Sequence, residues 1–97
     1  MKYKLLLKAE AIQDMAEAFD WYESKKTGLG IEFLTEAEKC YEGIARNPEH
    51  YQSHRNQYIA VMHRFPYKIV YEVERETIVV YAFYHDKRNP DKLTERK

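Results

Sequence analysis

The apolar residues of this chain change period once, at Asn47–Pro48, and that change limits the possible folds more than any single motif. Ahead of it, Ile12, Met15, Ala16, Phe19 and Tyr22 recur every three or four residues, and Ile31, Leu34, Ala37, Tyr41 and Ile44 do the same. Such a spacing lines one face of an α-helix. Glu10, Asp14, Glu17, Asp20 and Glu23 fill the other side of the first stripe and are expected in solvent; Glu32, Glu36, Lys39 and Glu42 flank the second. Thr27, Gly28 and Gly30 separate the two, glycine being the residue that enters the left-handed conformation freely. Proline disfavours helical geometry in the residue before it, so Asn47–Pro48 ends the second helix. Two helices joined by so short a turn are predicted to pack as an antiparallel hairpin.

After the polar loop EHYQSHRNQ the period drops to two, the signature of strands. Tyr58–Arg64 reads as one strand. Tyr67, Ile69, Tyr71 and Val73 form one face of the next, alternating with Lys68, Val70, Glu72 and Glu74. A tight turn is expected at Arg75–Glu76, followed by TIVVYAFYH, which is apolar on both faces and so belongs inside its sheet. YKLLL near the N-terminus reads as a short leading strand. The predicted order is β-α-α-β-β-β, an α+β fold with the helical hairpin packed on one face of a small, mainly antiparallel sheet. With 97 residues, the chain is expected to form one domain spanning 1–97, because a second core would have too little to bury.

Charge divides unevenly along the chain. Residues 1–50 carry seven Lys/Arg against ten Asp/Glu, a net of −3, and residues 51–97 carry nine against six, a net of +3. The basic residues therefore sit with the strands. Cys40 is the single cysteine, which excludes an intramolecular disulfide and suits a reducing cytoplasm. No run approaches the roughly 20 apolar residues of a membrane helix, so no membrane partner is expected.

Several chemistries find no support in these residues. Histidines occur without a helical His-x-x-x-His pair or a cysteine set, so no metal site is predicted. Gly28 and Gly30 follow no strand and precede no third glycine, which removes the dinucleotide fingerprint, and no phosphate-binding loop occurs; no cofactor is expected. Ser24 and Ser53 lie in no nucleophile-elbow context. What remains is a cluster of cations and aromatics on the strands: Arg64, Tyr67, Lys68, Tyr71, Tyr84, His85 and Arg88. Cleavage of RNA through its 2′-hydroxyl needs a base, an acid and cations beside the phosphate, roles open to His85, Lys68 and Arg64. Tyrosines can stack on bases, and equally can pack a sheet.

The order of elements and five short strings resemble the RelE/ParE superfamily of toxins from type II toxin–antitoxin pairs. The strings are AIQDMAEAFDWYE, GLGIEF, the Asn47–Pro48 pair, RFPYKIVYEV and HDKRNP, and they cover nearly the whole chain. The Trp-Tyr, RFPY and His-x-x-Arg-x-Pro pieces are closer to the ParE or plasmid-stabilisation branch than to RelE. The resemblance implies a small cytoplasmic bacterial toxin held inactive by a cognate antitoxin. Its target is DNA gyrase in characterised ParE members, or mRNA in the ribosomal A site in RelE-like ones. Lys68 falls where the nucleases carry a basic residue, and His85 matches a strand-end histidine used in some of them. Tyr67, Tyr84, Arg88 and Arg96 are then binding candidates, Arg96 matching a terminal arginine of the family pattern.

The departures from RelE are specific. Its pair of lysines on the preceding strand falls about on Ala60 and Met62 within YIAVMHR. Asp86 follows the strand-end histidine, and a carboxylate there repels phosphate. A degenerate toxin that only pairs with an antitoxin-like DNA-binding protein is the alternative these losses leave open. On alternation along HRFPYKIVYEV, Tyr71 is expected to pack and Lys68, of opposite parity, to face a ligand.

Overall fold

The computed structural model describes residues 3–85. Strand β1 (Lys4–Leu7) leads into helix α1 (Ala9–Lys25) and helix α2 (Leu29–Arg46); strands β2 (Gln52–His54), β3 (Gln57–Val61), β4 (Tyr67–Glu74) and β5 (Thr77–His85) follow. The sheet order is β1-β5-β4-β3-β2, with β1 parallel to β5 and every other pair antiparallel. The fold is α+β, with the hairpin over one face of a mainly antiparallel sheet, and β5 lies inside it between β1 and β4.

Three differences from the sequence reading have physical causes. Residues 52–54, expected in a loop, pair with β3 through a turn in which Arg55 takes φ 60°. An edge strand of three polar residues, Gln52, Ser53 and His54, shows no apolar alternation. The expected strand Tyr58–Arg64 ends at Val61, because the chain turns there toward Phe65. Helix α1 is rotated by about one residue from the expected stripe: Ala11, Asp14 and Ala18 are buried, whereas Ile12 and Ala16 are exposed. Similarly, α2 buries Phe33 in place of Ile31, while Ala37, Tyr41 and Ile44 take the places expected of them.

Asp14 is the largest departure from the expected solvated acidic face. Strand β1 pairs with β5 only as far as Val80, so the backbone beyond has no strand neighbour on that side. The Phe83 N–H donates to Asp14 Oδ2 at 3.1 Å, and the carboxylate thereby satisfies a buried donor that the sheet leaves over.

A register irregularity in the β4–β5 ladder organises the core. Val70 pairs with Ala82 but Tyr71 pairs with Val80, so Tyr81 is an extra residue bulged out of the ladder. The bulge resets the alternation, so that Ile78 and Val80 before it and Phe83 after it all face the helices, with Tyr67, Ile69 and Tyr71 beside them. Val70, Ala82 and Tyr84 form a smaller cluster with Ile59 on the opposite face. Tyr71 is fully buried under the hairpin, and its hydroxyl donates to the Pro48 carbonyl at 2.6 Å, tying the end of α2 to the central strand.

Candidate functional site

The β3–β4 connection carries His63, Arg64 and the turn into Tyr67 and Lys68. Its backbone closes through Tyr67 N–H to the Phe65 carbonyl at 2.8 Å and Met62 N–H to the Tyr67 carbonyl at 3.0 Å. Phe65 turns inward, with ring centroids 4.8 Å from Tyr22 and 5.4 Å from Phe33, both edge-on. That anchor leaves His63, Arg64 and Pro66 exposed. Arg64 Nη2 donates to Glu32 Oε1 of α2 at 2.7 Å, and the guanidinium lies 5.3 Å from the Phe65 ring centroid. The hydrogen bond to Glu32 holds the Arg64 proton more tightly than usual.

Register and alternation separate the remaining candidates. Lys68 lies directly opposite Tyr84 on β5 and opposite Val61 on β3, and residues opposite one another share a face. Tyr67 lies opposite His85, on the other face, with ring centroids 5.2 Å apart. The structure thus brings Lys68 and Tyr84 together, and separately Tyr67 and His85. It does not bring Lys68, His85 and Arg64 onto one surface. Tyr67 is 4% exposed, and its ring packs 5.2 Å from Phe33 and 5.7 Å from Phe83 instead of facing a ligand. Lys68 is half-buried, and Tyr84 is 8% exposed. Arg88 and Arg96 lie outside the described residues.

Ala60 and Met62, about where the resemblance to RelE leads one to expect a pair of lysines, are buried in the main core. A lysine at either position would bring an unpaired charge under the hairpin, so the loss is built into the packing and is not confined to the surface.

A cleft of about 260 Å³ lies between α2 and β3 beside the β3–β4 connection, lined by Glu36, Lys39, Cys40, Gly43, Tyr51, Val61 and His63. Burial pushes the Cys40 thiol up from its ordinary 9.0 to about 11, so at neutral pH it is a packing group and not a nucleophile. Among the described residues no three His, Cys, Asp or Glu side chains are grouped to hold a metal ion. No described helix is long and apolar enough to cross a membrane.

Sequence reasoning missed one exposed aromatic. Trp21, near the end of α1, is 43% exposed, with Lys25 Nζ 4.1 Å from its ring centroid. The adjacent Tyr22 packs toward the core, as its place in the apolar stripe predicts, and only the helix phase distinguishes the two.

Comparison with known proteins agrees with this architecture. Among solved structures, a chain titled "Chromosomal ParDE TA system from P. aeruginosa" superposes with a TM-score of 0.76 at 10% identity, covering 87% of this chain and 96% of its own. At that identity the likeness concerns the fold. No curated protein matches the sequence. The family model described as "ParE toxin of type II toxin-antitoxin system, parDE" matches residues 5–90, which takes in both helices and, but for Lys4 of β1, all five strands. The chain belongs to the ParE toxin family of type II toxin–antitoxin systems.

Proposed function

We propose that this chain is a cytoplasmic toxin that arrests growth by acting on DNA gyrase, and that a cognate antitoxin neutralises it. The observation that carries this reading is the family match over residues 5–90, together with the ParE-type strings WY, RFPY and HDKRNP. The side chains add a second, negative support. Ribosome-dependent mRNA cleavage asks a base, an acid and a cation to converge on one phosphate. Here Lys68 and His85 belong to opposite faces of the sheet, and Arg64 is engaged by Glu32. On this reading Lys68 and Tyr84 contact the target, a cation beside an aromatic, while His85 and Arg64 matter only if the nuclease alternative holds. Arg88 and Arg96 remain candidates for the same contact.

The alternatives are mRNA cleavage and a non-toxic fold that only pairs with an antitoxin-like protein. Primer-extension mapping of mRNA 5′ ends in a translating extract supplied with the purified protein separates the first of these. The gyrase reading expects no new ends. New ends at ribosome-occupied codons, abolished by Lys68→Ala or His85→Ala, would replace it with the nuclease. A non-toxic module is selected by stable antitoxin binding with no slowing of growth on induction.

A further inference from the structure

The cleft between α2 and β3 takes no part in the contacts assigned to the target, and its walls differ in chemistry. Glu36, Lys39, Cys40 and Gly43 come from α2 at i, i+3, i+4 and i+7, and so share one face of that helix. Tyr51 precedes β2, and Val61 and His63 come from the end of β3 and the connection after it. A Cβ on Gly43 would come within 2.7 Å of the Tyr51 hydroxyl, so Tyr51 is seated against α2 where the helix has no side chain. Cys40, half-buried, lies about one turn earlier. These three groups are uncharged at neutral pH. The volume of about 260 Å³ equals that of about nine waters at liquid density, room for a ligand of about nine to twelve non-hydrogen atoms.

The β3 wall adds main-chain groups. Strand β2 pairs with β3 only from Gln57 to Ile59, so among the described residues no strand lies beside Val61 on its outer side. The Met62 N–H donates inward, to the Tyr67 carbonyl at 3.0 Å. Successive residues of a strand turn their N–H and C=O to opposite sides, so those of Val61 point to the outer edge, which borders the cleft. One donor and one acceptor stand there side by side.

Charge decides what this cleft can take. Lys39 Nζ and Glu36 Oε2 meet at 3.5 Å, the Lys39 side chain being 67% exposed and that of Glu36 15%. A pair this loose adds little stability and parts at little cost. A ligand carrying one charge is repelled by one of the two groups while the other attracts it. A ligand with both charges close together satisfies both. We propose that the cleft binds a free α-amino acid with an uncharged, apolar side chain. Its ammonium meets the Glu36 carboxylate and the Val61 carbonyl, and its carboxylate meets the Lys39 ammonium and the Val61 N–H. Its side chain enters between Cys40, Gly43 and Tyr51, with the exposed His63 ring beside the opening. The proposal holds whatever the target of the chain, and whether or not the chain arrests growth.

The test titrates L-leucine and L-phenylalanine into the whole chain, followed by calorimetry and by amide chemical shifts. At least one is expected to bind with Kd below about 1 mM and to shift amides of residues 36–43, 51 and 61–63. The N-acetyl and carboxamide forms of the same amino acid, each lacking one charge, are expected to bind about tenfold more weakly or worse. Glu36→Gln and Lys39→Gln should each weaken the parent amino acid by about tenfold, whereas Glu38→Gln, an exposed carboxylate of the same helix outside the cleft, leaves it unchanged. Circular dichroism identifies a variant that fails to fold, and the comparison of charged with blocked ligands on the unaltered chain then decides. Absence of binding up to about 10 mM, equal affinity for a blocked form, affinity indifferent to both Glu36→Gln and Lys39→Gln in folded chains, or shifts confined to residues away from the cleft overturns the proposal.

Discussion

Two buried polar groups hold the sheet to its cover, and each makes a measurable prediction. The Tyr71 hydroxyl and the Pro48 carbonyl meet at 2.6 Å out of reach of water. Tyr71→Phe keeps the ring and its stacking on Tyr58 but leaves a buried carbonyl short of a donor. The expected cost is about 1–2 kcal/mol in urea unfolding. Asp14→Ala removes the acceptor of Phe83 N–H and should cost about as much or more, with Asp14→Asn retaining part of the stability because an amide oxygen can still accept. An unchanged midpoint in either alanine or phenylalanine variant would show that the contact carries no stability. Lys68 belongs to a different class. It is half-buried beside Tyr84, and Lys68→Ala should relieve growth arrest while shifting stability by no more than about 0.5–1 kcal/mol. Full toxicity in a folded Lys68→Ala chain would remove it from the target contact.

Glycines 28 and 30 set the hairpin in opposite ways. Gly28 takes φ 91° with nothing within 4 Å of where a Cβ would stand, so Gly28→Ala meets only backbone strain, about 1 kcal/mol. Gly30 lies inside α2 with ordinary geometry, where alanine normally favours a helix, yet its Cβ would strike the Phe19 ring at 2.8 Å and Glu23 Oε1 at 2.9 Å. That Glu23 carboxylate also accepts from the Gly28 and Gly30 N–H groups, capping the start of α2. Gly30→Ala is therefore expected to be the worse of the two, by about 1–3 kcal/mol of overpacking and cap loss; a stabilised Gly30→Ala would contradict the close approach. The glycine break, both helices, the Arg75 turn at φ 58° and the order of the elements were legible because each has a local cause. The phase of α1 was not. Its buried face is made of Ala11, Asp14 and Ala18, small or charged residues that let the helix lie close to β5, while larger apolar residues mark the neighbouring stripe and dominate the periodicity. Strand β2 was hidden too: Gln52–His54 is polar, and its turn places Arg55, not glycine, at positive φ. Of the candidate site, the opposite parity of Lys68 and Tyr71 followed from alternation alone. The burial of Tyr67 and the Arg64–Glu32 bond did not, since both depend on contacts between segments far apart in the chain.

At the scale of the whole molecule, the core sets an alkaline limit to stability. Burial raises Cys40 to about 11, and burial first of all raises Tyr41 and Tyr71 as well. All three are neutral when protonated, and the folded chain keeps those protons to higher pH than the unfolded chain does. The stability these three groups contribute is therefore fully present below pH 9 and is lost as pH rises from 9 through 11 and beyond. Urea midpoints between pH 7 and 11 check this, and a midpoint level to pH 11 would contradict it. Function also belongs to this scale, because the family match that supports it runs almost the length of the chain and does not depend on one side chain. Gyrase as the target is tested most directly by incubating the purified protein with DNA gyrase, ATP and plasmid, then measuring supercoiling and the DNA trapped covalently on the enzyme. Supercoiling is expected to fall and trapped DNA to accumulate, and addition of the cognate antitoxin is expected to reverse both. Unimpaired gyrase in the presence of a folded preparation that still arrests growth would rule gyrase out as the target.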